Sequence, residues 1–345
     1  MPDLHDYDYP LPPELVAQHP LPQRDASRLL VLERASGAMH HGHFRDLPHW
    51  LDSQDLLVVN DTRVFPARLV GRKASGGRVE LLLHQLPQAA GDAGATVRAT
   101  YRGRLKVGQT LHLGGALEAQ VVGLVAPGVA EVRLAVPQGD ATQAVLAAGQ
   151  TPLPPYIRRP AEPQDRRDYQ TMFAAHPGDI ACPTAGLHFT PEALAALAAQ
   201  GVETAAITLH VGPGTFMPVR QRDYTRHRIL PEYFHLSPET AARLNAARKQ
   251  GRRLAAVGTT SVRVLEYCLK EKGFAPQTGW CGLYIYPGYQ FRAVDRLITN
   301  FHLPKSTLLL LVSAFAGREL ILAAYGEAVR RQYRFYSYGD CMLIL

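Results

Sequence analysis

Apolar and polar positions follow three different rhythms along the chain. Near the start, RLLVL (28–32) and DLLVV (55–59) hold unbroken apolar stretches, as expected of strands buried on both faces. Ser27 stands before the first, and Gly37 follows it in a predicted turn. From 66 to 150 the runs become short and alternating: RVELLL (78–83), TVRAT (96–100), AQVV (119–122) and AEVRL (130–134). Short strands separated by glycine turns at this spacing predict a small β-barrel or sandwich. The proline-rich TPLPP (151–155) is then read as a stiff extended connector.

Beyond it, strands and helices alternate. Thr190 is a predicted N-cap with Pro191 at the first helical position, and Gly201 closes that helix. A strand running to His210 follows. Ser237 and Pro238 open a second helix that Gly251 closes, and RLAAV (253–257) is the next strand. GTTS (258–261) is read as a turn and 262–270 as a helix. Residues 305–315 and 319–333 read as two closing helices, and 341–345 as a last strand. The expected fold class is α/β, with a mixed or parallel sheet interrupted by an inserted small β-barrel. The expected division is 1–65 plus 151–345 for a discontinuous α/β catalytic domain and 66–150 for the barrel.

Composition narrows the class. The chain has 345 residues, 46% hydrophobic and 19% charged, enough for a large core and typical of a globular protein. It has no apolar run of about 18 residues, so no membrane span is expected. The acidic, proline-rich N-terminus does not read as a signal peptide. Cys182, Cys268, Cys281 and Cys341 are scattered without metal spacing, which fits free thiols in a reducing cytoplasm. Net charge is +7, and arginine greatly outnumbers lysine. The planar guanidinium fork suits a polyanionic partner, although ordinary solvated faces produce the same excess.

Candidate chemistry gathers where strands end. TLHVGPGTF (208–216) brings an imidazole, bare glycine backbone and a hydroxyl together: His210, Gly212, Gly214 and Thr215. Open α/β sheets bind ligands at such ends. Asn60, Asp61, Thr62 and Arg63 follow another buried strand. Asn and Asp there commonly form turns, and Arg63 beside them favours a ligand contact. Thr184, Gly186 and His188 lead into a helix start, where free amides attract anions. Thr259 and Thr260 do the same ahead of Arg263, with plain helix capping as the competing reading. TNFHLPKST (299–307) supplies Asn300, His302 and Lys305; its Lys-Ser-Thr ending lacks the glycines of a P-loop, which excludes a nucleotidase on that ground. His40, His41 and His43 have nothing nearby to complete a zinc site, and no metal is expected. Asp340 beside Gly339 closes the set.

Jointly these segments resemble one family nearly end to end: the S-adenosylmethionine:tRNA ribosyltransferase-isomerases of queuosine biosynthesis. The resemblance rests on YDYPLPPELVAQHP (7–20), SRLLVL (27–32), DLLVVNDTRVFPARL (55–69), PLPPYIRR (152–159) and DYQTMFA (168–174). It continues through PTAGLHFT (183–190), TLHVGPGTFMPVR (208–220), AVGTTSVRVLE (256–266), YPGY (286–289), residues 297–317 and YRFYSYGDCMLI (333–344). Two departures stand out. Cys182 replaces an alanine before Pro183, and Ile229-Leu230-Pro231 precedes Glu232 where the family has Met-His-Ser. The family histidine is therefore missing, while Glu232 remains.

The resemblance implies that the ribosyl part of S-adenosylmethionine is transferred to 7-aminomethyl-7-deazaguanine at the tRNA wobble position. The sugar isomerises to give epoxyqueuosine, and adenine and methionine leave. S-adenosylmethionine is then a consumed substrate, and no cofactor is expected. The reaction needs a base for the hydrogen beside the sulfonium and an acid for departing adenine, and His210, His188, Glu232 and Asp340 are the candidates. Gly212, Gly214 and Thr215 would line the donor pocket, Asn60, Asp61, Thr62 and Arg63 would complete it, and Thr259, Thr260 and Arg263 would hold a carboxylate or the tRNA backbone. Thr184, Gly186, Asn300, His302 and Lys305 are further candidate substrate contacts. Arg158, Arg159, Arg166, Arg167, Arg220, Arg222, Arg226 and Arg228 are candidate tRNA phosphate contacts. The family implies a monomer. A tRNA methyltransferase and a non-catalytic tRNA-binding protein are the competing readings.

Overall fold

The computed structural model describes residues 2–87, 95–212, 214 and 219–345. Thr215, one of the expected donor contacts, lies outside the described residues. Nine strands form one mixed sheet. Its order is Gln277–Cys281, Glu232–Leu236, Glu203–Leu209, Asp55–Asn60, Arg253–Val257, Arg296–Asn300, Cys341–Ile344, Arg28–Leu32 and Met39–His43. The four from Glu203–Leu209 to Arg296–Asn300 run parallel, and antiparallel pairings lie to either side. Helices cover both faces of this centre, which is why its strands are apolar throughout. Within Asp55–Asn60, Leu56 and Val58 enter one core with Leu254 and Ala256. Leu57 and Val59 enter the core on the opposite face with Ala255 and Val257.

The inserted region closes into a six-stranded antiparallel barrel. Its order is Val129–Ala135, Ala95–Arg102, Arg78–Leu83, Arg68–Lys73, Thr110–His112 and Glu118–Ala126. Alternate residues such as Val79, Leu81 and Leu83 point into its own core. Closure leaves no long unpaired edge.

The caps expected from sequence are present. Thr190 Oγ1 accepts the Ala193 amide at 3.1 Å, and Ser237 Oγ accepts the Thr240 amide at 3.1 Å. One segment differs. GTTS is not a turn before a helix but the first turn of the Gly258–Cys268 helix itself. Gly258, at φ 83°, makes the change of direction alone. Ser261 then donates to the Val257 carbonyl at 2.8 Å from inside the helix. The closing helices are Thr307–Ala316 and Arg318–Arg330. Among the described residues no single helix is long and apolar enough to cross a membrane.

Candidate active site

Three of the parallel strands deliver their carboxyl ends to one cavity of about 230 Å³. Val211 follows Glu203–Leu209, the Gly258–Thr260 turn follows Arg253–Val257, and Thr299 to His302 end and follow Arg296–Asn300. Residues 181–185 and the Tyr156 and Tyr336 rings close the other sides. Ligand crevices occupy this position in open α/β sheets.

Seven expected residues line it: Thr184, Thr259, Thr260, Arg263, Asn300, His302 and Lys305. Among the described residues, the Gly258–Cys268 helix has no side-chain cap at its N-terminus, and the Thr260 hydroxyl beside the cavity has no hydrogen-bond partner. Arg263 forms a buried ion pair with Glu232 and donates to the carbonyls of Leu283 and Cys281, each at 3.0 Å. Glu232 also accepts the Gly212 amide at 3.1 Å. With Gly214, this pair borders a second hollow of about 30 Å³, and Arg263, Thr307 and Leu308 line both spaces.

A hydrogen-bond chain runs from the cavity into the core. Thr184 donates to Asn300 Oδ1 at 2.8 Å, and Asn300 Nδ2 donates to His188 Nε2 at 3.0 Å. His188 Nδ1 then meets Ser27 Oγ at 2.8 Å. Because Nε2 accepts, the proton is assigned to Nδ1. Burial pushes the His188 pKa down to about 3, with Arg24 and Arg334 adding repulsion, so the ring is neutral. Gly186 is buried beside it in the 3₁₀ turn Thr184–His188, against the Thr171 side chain. His302 is likewise lowered to about 3 by burial, and its Nε2 meets Thr299 Oγ1 at 2.9 Å.

Among the described residues, the remaining expected ones lie outside the cavity lining. Val211 lines the cavity, whereas His210 lies against Gly178 and stacks on Tyr233 with ring centroids 5.4 Å apart. Its Nδ1 meets Thr62 Oγ1 at 2.7 Å, and burial lowers its pKa to about 4. Asn60 ties backbone together: Oδ1 accepts the amides of Thr62 and Leu209, and Nδ2 donates to the Leu209 carbonyl. Asp61 accepts from Thr208 at 2.6 Å, and burial raises its pKa. Arg63 is exposed. Asp340 is 1% exposed and accepts from the amides of Arg28 and Arg334 and from the Arg28 guanidinium.

Sequence reasoning missed Tyr156, Tyr336 and Phe301 as lining residues, and it passed over Asp179. Asp179 is fully buried, one of its carboxyl oxygens has no partner among the described residues, and burial raises its pKa strongly. Its neighbours Ala181 and Val211 line the cavity. The aromatic lining was contained in the quoted motifs, but nothing in their spacing separates a cavity tyrosine from a packed one.

A crevice at the carboxyl ends of the parallel strands, with convergent polar groups and buried neutral histidines, gives an α/β protein with a candidate small-molecule ligand site. The chain belongs to the queuosine biosynthesis protein family, whose model matches residues 4–344. It is 52% identical over 344 residues to the S-adenosylmethionine:tRNA ribosyltransferase-isomerase of Syntrophotalea carbinolica, covering 99% of each chain. It is 53% identical over 344 residues to the protein of that name from an Anaeromyxobacter species, covering 99% of this chain and 98% of the relative. A crystal structure of an S-adenosylmethionine tRNA ribosyltransferase from Thermotoga maritima aligns with TM-score 0.57 and 35% identity, over 99% of this chain and 100% of that one.

Proposed function

We infer that this enzyme transfers and isomerises the ribosyl moiety of S-adenosylmethionine onto 7-aminomethyl-7-deazaguanine at the tRNA wobble position, releasing adenine and methionine. The observation that carries this reading is full-length family membership at about half identity, since the relatives bear the name of that activity. The reading gives the 230 Å³ cavity to the donor. The donor carboxylate meets the uncapped helix start at Thr259 and Thr260, beside Arg263 and Lys305. Thr184, Asn300 and His302 orient its polar atoms. None of the four proton-transfer candidates lines the cavity; His188 holds the lining residue Asn300 and Asp340 holds the Arg28 and Arg334 backbone, so these two are read as positioning groups. His210 and Glu232 remain the proton-transfer candidates. His210 is neutral at physiological pH, as a base must be before it accepts a proton.

The same reading treats 1–65 with 151–345 as the catalytic domain and 66–150 as the inserted one. It takes the enzyme to work as a monomer in the cytoplasm, with tRNA held through exposed arginines.

The test is product analysis with labelled donor and tRNA carrying the aminomethyl base. Free adenine and methionine are expected. S-adenosylhomocysteine would instead identify a methyltransferase, and intact donor a binding protein. His210→Ala, checked for folding, is expected to lose most adenine release; near-normal turnover removes His210 from the chemistry.

A further inference from the structure

Resting on that reading, the cavity poses an electrostatic question. The donor brings a positively charged sulfonium, yet among the described residues no Asp or Glu lines the cavity. The charged lining groups are Arg263 and Lys305, both cationic. Each has its own counter-ion, Glu232 for Arg263 and Asp8 for Lys305, the latter at 2.7 Å. A sulfonium placed here cannot rest on a lining carboxylate. It needs a neutral surface rich in electron density, and aromatic ring faces provide one.

That surface exists on one wall. The rings of Tyr156 and Tyr336 both line the cavity, with centroids 4.2 Å apart and planes tilted by 45°. Tyr156 is held in place by a 2.7 Å hydrogen bond between its hydroxyl and Ser337. Tyr336 is 7% exposed, and its hydroxyl has no hydrogen-bond partner among the described residues. A buried hydroxyl without a partner is costly in a folded protein, and a ligand atom is one way to satisfy it. The Tyr336 backbone is strained as well, at φ 71°, a region bulky residues rarely adopt. The strain is held by the facing strand end. The Tyr336 amide donates to the Phe301 carbonyl at 3.2 Å, and its carbonyl accepts from Asn300 Nδ2 at 3.3 Å. Strained, over-determined residues of this kind gather at ligand sites.

The geometry points to Tyr156 and Tyr336 as the subsite for the sulfonium end of the donor, with the charge held against the ring faces. The Tyr336 hydroxyl completes the subsite by bonding a polar atom of the donor nucleoside. This orientation sets the sulfonium apart from the two cations and leaves the donor carboxylate to them.

The experiment is calorimetric binding of S-adenosylmethionine and of its uncharged thioether, S-adenosylhomocysteine. The intact enzyme is expected to prefer the sulfonium by roughly 30-fold, the scale of one desolvated cation–π contact. Tyr156→Leu and Tyr336→Leu are expected to abolish the preference. Tyr336→Phe keeps the ring, so it should weaken both ligands alike and retain the preference. Equal affinity of the unaltered enzyme for the two compounds would overturn the proposal without any variant. So would a folded leucine variant that keeps the preference, or one that loses affinity for both compounds equally. If the unaltered enzyme bound neither compound, the donor reading itself would fall, a result distinct from a missing charge preference.

Discussion

Glu232 shows how one side chain can serve two readings. Its carboxylate is 3% exposed, faces the Arg263 guanidinium and accepts the Gly212 amide. Removing one member of a buried ion pair leaves the other charge uncompensated, at a cost of about 3–5 kcal/mol. Glu232→Ala is therefore expected to lose about 3 kcal/mol of stability, the low end, because two carbonyls still hold Arg263. The double variant Glu232→Leu/Arg263→Met should recover much of that stability but not turnover. Urea unfolding checks the first statement, and an unchanged midpoint for Glu232→Ala would refute it. His188 gives a second prediction through pH. Its folded pKa, about 3, lies below an unfolded value of about 6.5. Between these values the unfolded chain binds the extra proton, so this contribution is intact above about pH 6.5 and is lost as pH falls. His188→Gln has no such group. The stability difference between pH 7.5 and pH 5 should shrink by about 2 kcal/mol relative to the parent. Parallel pH slopes in the two proteins would contradict it.

At the scale of elements, the sequence was most legible where local chemistry sets the boundary. Thr190 with Pro191 and Ser237 with Pro238 are true helix starts, because a hydroxyl cap and a fixed proline φ act within a few residues. The Glu232–Leu236 and Gln277–Cys281 strands were not read. Their burial depends on distant partners: Glu232 faces inward, where Arg263 and the Gly212 amide meet it. The Gly178 segment is another long-range case. A Cβ on Gly178 would lie 2.7 to 3.0 Å from three atoms of the His210 ring. That ring also stacks on Tyr233 and bonds Thr62, so it cannot shift without losing a partner. Gly178→Ala is expected to displace the imidazole and, if His210 takes part in proton transfer, to lower adenine release roughly 10- to 100-fold. The NMR signals of His210 report the displacement; an unmoved ring with normal release would show that the glycine only serves the backbone.

At the scale of the whole molecule, the architecture was legible because rhythm changes mark the barrel and the doubly covered sheet. The site was legible only in part. Strand-end motifs pointed to the end of the sheet where the cavity lies, but they could not show which face of a strand meets it. Val211 faces it and His210 does not line it. The charge excess divides in the same way. Arg159 is bidentate to buried Asp165 at 2.7 Å, and Arg166 donates to the Gly149 carbonyl at 2.8 Å. Arg167, Arg222 and Arg226 are exposed but paired with Asp168, Asp3 and Asp223. Arg158, Arg220 and Arg228 are exposed, with no side-chain partner among the described residues. Unpaired guanidinium groups can neutralise phosphates without first breaking a bond, so they should carry the salt dependence of tRNA binding. Each phosphate contact contributes a slope of about 0.7 to 0.9 in log affinity against log salt. Replacing Arg220 and Arg228 by alanine should lower the slope by about that amount per arginine and leave thermal stability unchanged. Arg159→Ala should do the reverse, since it exposes the buried Asp165 carboxylate to an unpaired state while removing no free charge from the surface. Filter binding from 50 to about 200 mM potassium chloride separates them; a double variant with the parental slope would move the tRNA contact elsewhere on the molecule.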